Sequence, residues 1–180
     1  MSPEAPEDEV RDEASGFAAY LSFYREEIAE AVLALSPTEQ RTSRIPSGWT
    51  PIELLSHVLH MEQRWFVWGF LGEQVPEPWG DWTRDEPWDD PTPAGEAAPR
   101  WHVPDDVTAA SLAERLRALG ERTTRILAEH DFDEVPPHSP RWDHTDGIPP
   151  LRWICFHVLE EYARHAGHLD IAVEMAGGSD

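Results

Sequence analysis

An all-α bundle of four helices is the fold this sequence predicts, and three observations predict it. Apolar residues recur at three- and four-residue steps through four separate segments, the spacing of one helix face. Capping and stop residues bracket those segments. The two long stretches between them, rich in Pro, Asp and Trp, keep neither a helical nor a strand period. At 180 residues the chain suits one packed domain and is short for two.

Residues 1–12 are acidic and proline-containing and read as a loose tail, leaving a single domain over 13–176. The first helix is expected over 13–35, with Phe17, Tyr20, Leu21, Tyr24, Ile28, Val32 and Leu35 on its inner face and Ser36-Pro37 as its stop. The second is expected over 50–71. Thr50 suits the N-cap, Pro51 the first helical position, Glu53 the reciprocal capping position, and Gly72 the C-terminal stop. The third is expected over 106–130, with Leu112, Leu116, Leu119, Ile126 and Leu127 inward. The fourth is expected over 150–175, ended by Gly177-Gly178.

Residues 74–104, between helices two and three, form a long Trp/Pro-rich loop containing Trp79, Trp82, Trp88 and Trp101. A flexible linker has no need of four indoles, so this loop is expected to be structured. Two roles stay open for those indoles: capping a pocket, or plain core burial.

Composition narrows the function. The net charge is −21, from 35 acids against 14 Lys and Arg. Such a surface repels phosphate backbones and anionic lipid heads, so neither nucleic acid nor a membrane surface is expected as a partner. Cys155 is the only cysteine, which excludes an intrachain disulfide and fits a reducing compartment. No basic start leads into an apolar run, and no apolar stretch approaches the roughly 20 residues of a membrane span. A cytoplasmic protein is the expectation. There is no nucleophile elbow, phosphate loop or CxxC pair, and Cys155 reads as a small core residue rather than a nucleophile.

The chemistry concentrates on the last helix. At about 100° per residue, His157, Glu161, His165 and His168 fall within roughly 80° of one another. Ile154, Val158, Tyr162, Leu169 and Ala172 flank that stripe, so it borders the core. Burying a carboxylate and several imidazoles without partners is costly, and a shared divalent metal would meet that cost. Hydrogen-bonded histidines are the competing reading. On the second helix, His57 lies among Leu54, Val58 and Met61, where it is either a satisfied core residue or the third corner of a site in the bundle. His60, about 60° away on the wheel, is expected to face solvent. Arg64 and Trp68 share His57's side. Arg64 could hold a substrate carboxylate or pair with a nearby acid, and Trp68 could wall a pocket.

Two strings carry a resemblance. Ser47-Gly48-Trp49-Thr50, followed by Leu54-Leu55-Ser56-His57-Val58 and Glu62-Gln63-Arg64-Trp65, resembles the second-helix signature of the DinB-like superfamily. Leu151-Arg152-Trp153, His157 and Glu160-Glu161-Tyr162-Ala163-Arg164-His165-Ala166-Gly167-His168-Leu169-Asp170 resembles its last-helix signature. More narrowly, both resemble the branch of mycothiol transferases, related to mycothiol-dependent maleylpyruvate isomerases. The resemblance covers most of residues 15 to 176.

It implies a four-helix bundle with an unusual helix order and a metal near one end of the core. The implied ligands are His57, Glu161 and His165, with His157 and His168 behind them or as substitutes. Many members carry two histidines where this chain has Glu161 and His165. The oxygen ligand widens the choice of metal beyond zinc, to nickel among others. The implied activity is metal-dependent conjugation of a low-molecular-weight thiol, mycothiol, to a small electrophile. A metal-dependent hydrolase or isomerase on the same site, or a stress-associated metal-binding protein without turnover, are the alternatives. Members of the superfamily are often dimers, which makes a homodimer a further implication, although no stretch of the sequence marks an interface.

Overall fold

The structure is a computed structural model that describes residues 6, 10–85, 87, 97–138, 140–143 and 147–177. Trp88, Gly178 and most of the expected acidic tail lie outside the described residues. The elements are α1 (Glu13–Leu33), the short α2 (Pro37–Gln40), α3 (Pro51–Glu62), α4 (Ala109–Glu129) and α5 (Leu151–Gly177). There is no strand among the described residues, only an isolated antiparallel bridge between Trp82 and Trp101. No helix of the described residues is long and apolar enough to cross a membrane.

Local chemistry explains where the helices begin. The Asp12 carboxylate accepts the Ser15 amide at 2.8 Å and opens α1. Ser36 caps α2 by accepting the Glu39 amide at 3.2 Å, so α1 stops two residues short of the expected Leu35. Thr50 donates its amide at 2.8 Å and its hydroxyl at 3.0 Å to Glu53, closing the expected capping arrangement of α3. Thr108 caps α4, accepting the Ser111 amide at 3.2 Å, so the third helix starts at Ala109 rather than at the expected 106.

Past Glu62 the second helix continues as a π-helical stretch, Gln63–Phe70. Its last bond runs from the Leu71 amide to the Phe66 carbonyl at 3.1 Å, and Gly72 then turns the chain with φ +68°. Wide turns of this kind re-aim side chains and are frequent at functional sites. Gly69 sits inside it for a steric reason. A Cβ there would meet Trp142 Cζ2 at 3.2 Å, and the Trp142 indole donates to the Gly69 carbonyl at 3.0 Å.

α1 and α3 each pack on both α4 and α5, so the order around the bundle is α1, α4, α3, α5. Chain neighbours α1 and α3 are therefore diagonal, as are α4 and α5. Leu21, Ile28, Leu55, Val58, Leu112, Leu116, Ile154 and Val158 fill the apolar core. Cys155 lies in that core, fully buried, and burial pushes its thiol up to about 12. The native protein should therefore resist thiol-alkylating reagents at neutral pH and react only when denatured. Mass-spectrometric labelling with and without urea tests this, and rapid native labelling would contradict it.

At the centre, Glu62 is completely buried. Arg25 of α1 donates Nε–H to Glu62 Oε2 at 2.8 Å and a second N–H to Oε1 at 3.0 Å. Tyr162 of α5 donates to Oε2 at 2.5 Å, and the Thr123 hydroxyl of α4 donates to Oε1. One carboxylate thus ties all four long helices together. Burial pulls the Arg25 guanidinium down, but Glu62 outweighs it and holds it above its ordinary value. Burial, reinforced by Glu62, raises the Tyr162 phenol. Gly120 leaves the room: a Cβ there would come within 3.0 Å of Arg25.

Candidate metal centre

α5 places Glu161 and His165 one turn apart, and α3 faces them with His57. One donor atom from each of the three lies within 4.8 Å of the others. His165 Nε2 is 3.2 Å from Glu161 Oε2, and the His57 and His165 rings meet edge to face at 4.9 Å. His57 and His165 are buried and Glu161 half-buried. Those three are the residues the resemblance marked as ligands.

What fixes His57 comes from the long loop. Residues 81–83 and 100–102 pair: Thr83 N–H donates to the Arg100 carbonyl, and His102 N–H to the Asp81 carbonyl, both at 2.9 Å. This pairing sets the fully buried Asp81 carboxylate behind the helix. His57 Nδ1 donates to Asp81 Oδ2 at 2.8 Å. Arg64 donates to both Asp81 oxygens, at 2.5 and 3.0 Å. Burial raises the Asp81 carboxyl, but the His57 and Arg64 bonds overcome it and hold it below the usual carboxylate range. An ionised Asp81 keeps the His57 proton on Nδ1 and leaves Nε2 as the free lone pair. A carboxylate behind an imidazole is the usual way to orient a metal-binding histidine and raise its basicity.

The neighbouring charges agree with a neutral His57 imidazole near an ionised Glu161. Burial takes His57 down to about 4, against the opposing pull of Asp81. The His165 bond holds the Glu161 carboxyl below its ordinary value. His165 Nδ1 is buried without a hydrogen-bond partner among the described residues, so that ring is incompletely satisfied as it stands. Two nitrogens and one oxygen are a zinc-type donor set with positions left for other ligands. The residues present therefore fit a divalent ion.

A cavity of about 340 Å³ opens beside the three donors, lined by His57, Met61, Arg64, Trp65, Arg141, His157 and Glu161. His157 lies flat on Trp153 (centroids 5.0 Å, 8° between planes) and edge-on to Trp65 at 4.4 Å. It lines the cavity without joining the cluster of three. His168 is exposed, with its ring 5.8 Å from that of His165. Arg141, from a single turn of 3-10 helix at Pro140–Trp142, spreads its guanidinium over Trp65 at 4.7 Å.

The other expected residues fall as follows. Arg64 makes the ion pair and also lines the cavity: its guanidinium engages Asp81 and the Pro78 carbonyl (2.8 Å) while lying over Trp79 at 4.7 Å. Trp68 meets Trp79 edge to face at 6.1 Å and does not line this cavity. His60 corrects an expectation. It is buried rather than solvent-facing, because the loop folds back over α3 and sets Gly80 against its ring, while His60 Nδ1 donates to the Ser56 carbonyl at 2.8 Å. Asp81 carried no signal of its own, since no periodic pattern exists in that loop, and Trp101 stood out only as one of its four indoles. Trp101 stacks on His57 at 4.2 Å and 21°.

The model of the mycothiol-S-transferase family matches residues 16–178. The chain belongs to that family. A family of S-transferases is a family of enzymes, and the chain is a thiol transferase whose co-substrate is a small-molecule thiol. Comparison of the transferase with curated proteins found no match, and comparison with solved structures found none.

The transferase should be acid-sensitive when no metal is added. Burial lowers His57, His60, His157 and His168 below the ordinary imidazole value of 6.5. Below that pH the unfolded chain takes up protons that the folded chain refuses. The stability these groups contribute is complete above pH 6.5 and falls as the pH drops, for His57 down to about pH 4. The urea midpoint at pH 5 should lie clearly below that at pH 7.5. Equal midpoints would show that these imidazoles are protonated in the fold.

Proposed function

We propose that this chain is a metal-dependent mycothiol S-transferase, with His57, Glu161 and His165 holding one divalent ion and the adjoining cavity receiving the electrophile. The observation that carries the reading is His57, backed by Asp81 and Arg64, with a donor atom within 4.8 Å of one on His165 and one on Glu161 at the edge of that cavity. Zinc is the ion that a set of two nitrogens and one oxygen suits first, with nickel as the alternative. Such an ion would supply a Lewis acid that lowers the pKa of a coordinated thiol, which near 8.5 is mostly protonated at neutral pH.

The chain's own groups do the rest. His157, kept neutral by burial, offers a basic ring nitrogen in the same cavity to take the thiol proton. The new S–C bond forms on the electrophilic carbon, and the electrons displaced from that carbon develop as negative charge on the electrophile. Arg141, held over Trp65, faces the cavity where that charge arises. Trp65 and Met61 keep that side of the cavity apolar and limit water.

The test compares zinc-loaded with chelator-treated protein, supplied with mycothiol and a panel of small electrophiles, reading the conjugate by mass spectrometry. Conjugate should form only with the loaded protein, and glutathione should be a poor donor. Equal rates in loaded and stripped protein would remove the metal from the reading.

A further inference from the structure

Trp101, stacked on His57, also walls a second cavity, of about 290 Å³. Trp49, Trp82 and Trp101 wall it, and Ser47, Glu53 and Arg100 stand among them. Trp49 and Trp82 lie 6.1 and 6.2 Å from Trp101, at 48° and 77° to it. These three indoles are half-buried, unlike the core indoles Trp79 and Trp142. The backbone pairing that sets Asp81 behind His57 also sets Trp82 and Trp101 against the His57 ring, at 6.2 and 4.2 Å. Trp101 therefore borders both this cavity and two of the three metal-type donors, His57 at 4.2 Å and His165 at 5.5 Å between ring centroids. The electrophile's cavity shares none of its residues.

We propose that this second cavity binds the polyhydroxylated ring system of the thiol co-substrate, so that its sulfur reaches past Trp101 to the His57–Glu161–His165 cluster. This rests on the transferase reading above. Flat indole faces take the C–H faces of a pyranose or cyclitol ring, whose hydroxyls then need donors and acceptors at the ring's edge. Arg100 and Ser47 can donate there. Glu53 uses one oxygen, Oε2, to cap α3, and its other oxygen has no hydrogen bond to Thr50. An organic cation would also suit three indoles and a carboxylate, but the Arg100 guanidinium in the same wall opposes it. Mycothiol carries its cysteinyl thiol on a glucosamine–inositol head, which is such a ring system.

The probes are S-methyl mycothiol, which binds but cannot transfer, N-acetylcysteine, which lacks the rings, and tetramethylammonium. Wild-type protein should bind S-methyl mycothiol by calorimetry, and tetramethylammonium should not displace it. Trp49→Ala and Arg100→Ala should each weaken that binding about tenfold, and mycothiol's advantage over N-acetylcysteine in transfer should shrink by a similar factor. Arg100 is exposed, so its variant keeps the test valid if Trp49→Ala folds poorly. Wild-type affinity in both folded variants, displacement by tetramethylammonium, or no binding to wild type would overturn the proposal. Transfer without any effect of the variants would leave the transferase reading standing alone. Ring-dependent binding weakened by the variants, without transfer, would leave this cavity's assignment standing and sink the transferase reading.

Discussion

Alanine in place of His57 is expected to leave the protein without stoichiometric metal. Glu161 and His165 come from one helix and give two donors, and two donors hold a divalent ion far more weakly than three. The change also strands Asp81 and Arg64 as a buried pair with nothing to orient. His168→Ala is the control, because that imidazole is exposed and stands outside the cluster of three. Elemental analysis of both variants, purified without added metal and then equilibrated with zinc, makes the comparison. His57→Ala should retain less than a tenth of an equivalent and lose the metal-dependent rise in thermal midpoint that binding to the folded state produces (roughly 3–4 kcal/mol at 100 to 1,000 times Kd). Full metal in His57→Ala, or its loss in His168→Ala, would move the site.

The second large effect is on the fold itself. Glu62→Ala removes the one acceptor shared by Arg25, Thr123 and Tyr162, and leaves a buried guanidinium without a counter-charge. Breaking one side of a buried pair costs about 3–5 kcal/mol, a large share of the roughly 5–15 kcal/mol that holds a domain together. The variant should unfold at much lower urea, or be recovered mostly insoluble. Removing both charges together, as Arg25→Met with Glu62→Leu, should regain part of the loss, because no buried charge is then left unpaired and only the Tyr162 and Thr123 hydroxyls lose their acceptor. A Glu62→Ala protein within about 1 kcal/mol of wild type would mean that the network does not bind the four helices together.

Four long helices, and a histidine and carboxylate stripe bordering the core on the last of them, were legible in the residues alone. Helix faces repeat every 3.6 residues, so Leu21, Val58, Leu116 and Val158 announce their burial wherever the helices end up. A glutamate and a histidine one turn apart on α5 share a face for the same reason. The Glu62 network was legible in part. Glu62 lies a turn from Val58 and from Phe66, and Arg25 a turn from Leu21 and Ile28, so each is a charge set in an apolar stripe. Their pairing with each other required the packing of α1 beside α4 and α5, with α3 across the bundle. The loop was beyond reach. Asp81 behind His57, the indoles of Trp82 and Trp101 against its ring, and His60 shut away under Gly80 depend on a chain path with no period of its own. Which of a loop's acids meets a helix's histidine is decided by backbone pairing between residues about 20 positions apart. Only the folded chain brings those together, and with them the Asp81 carboxylate that sets the proton position on His57.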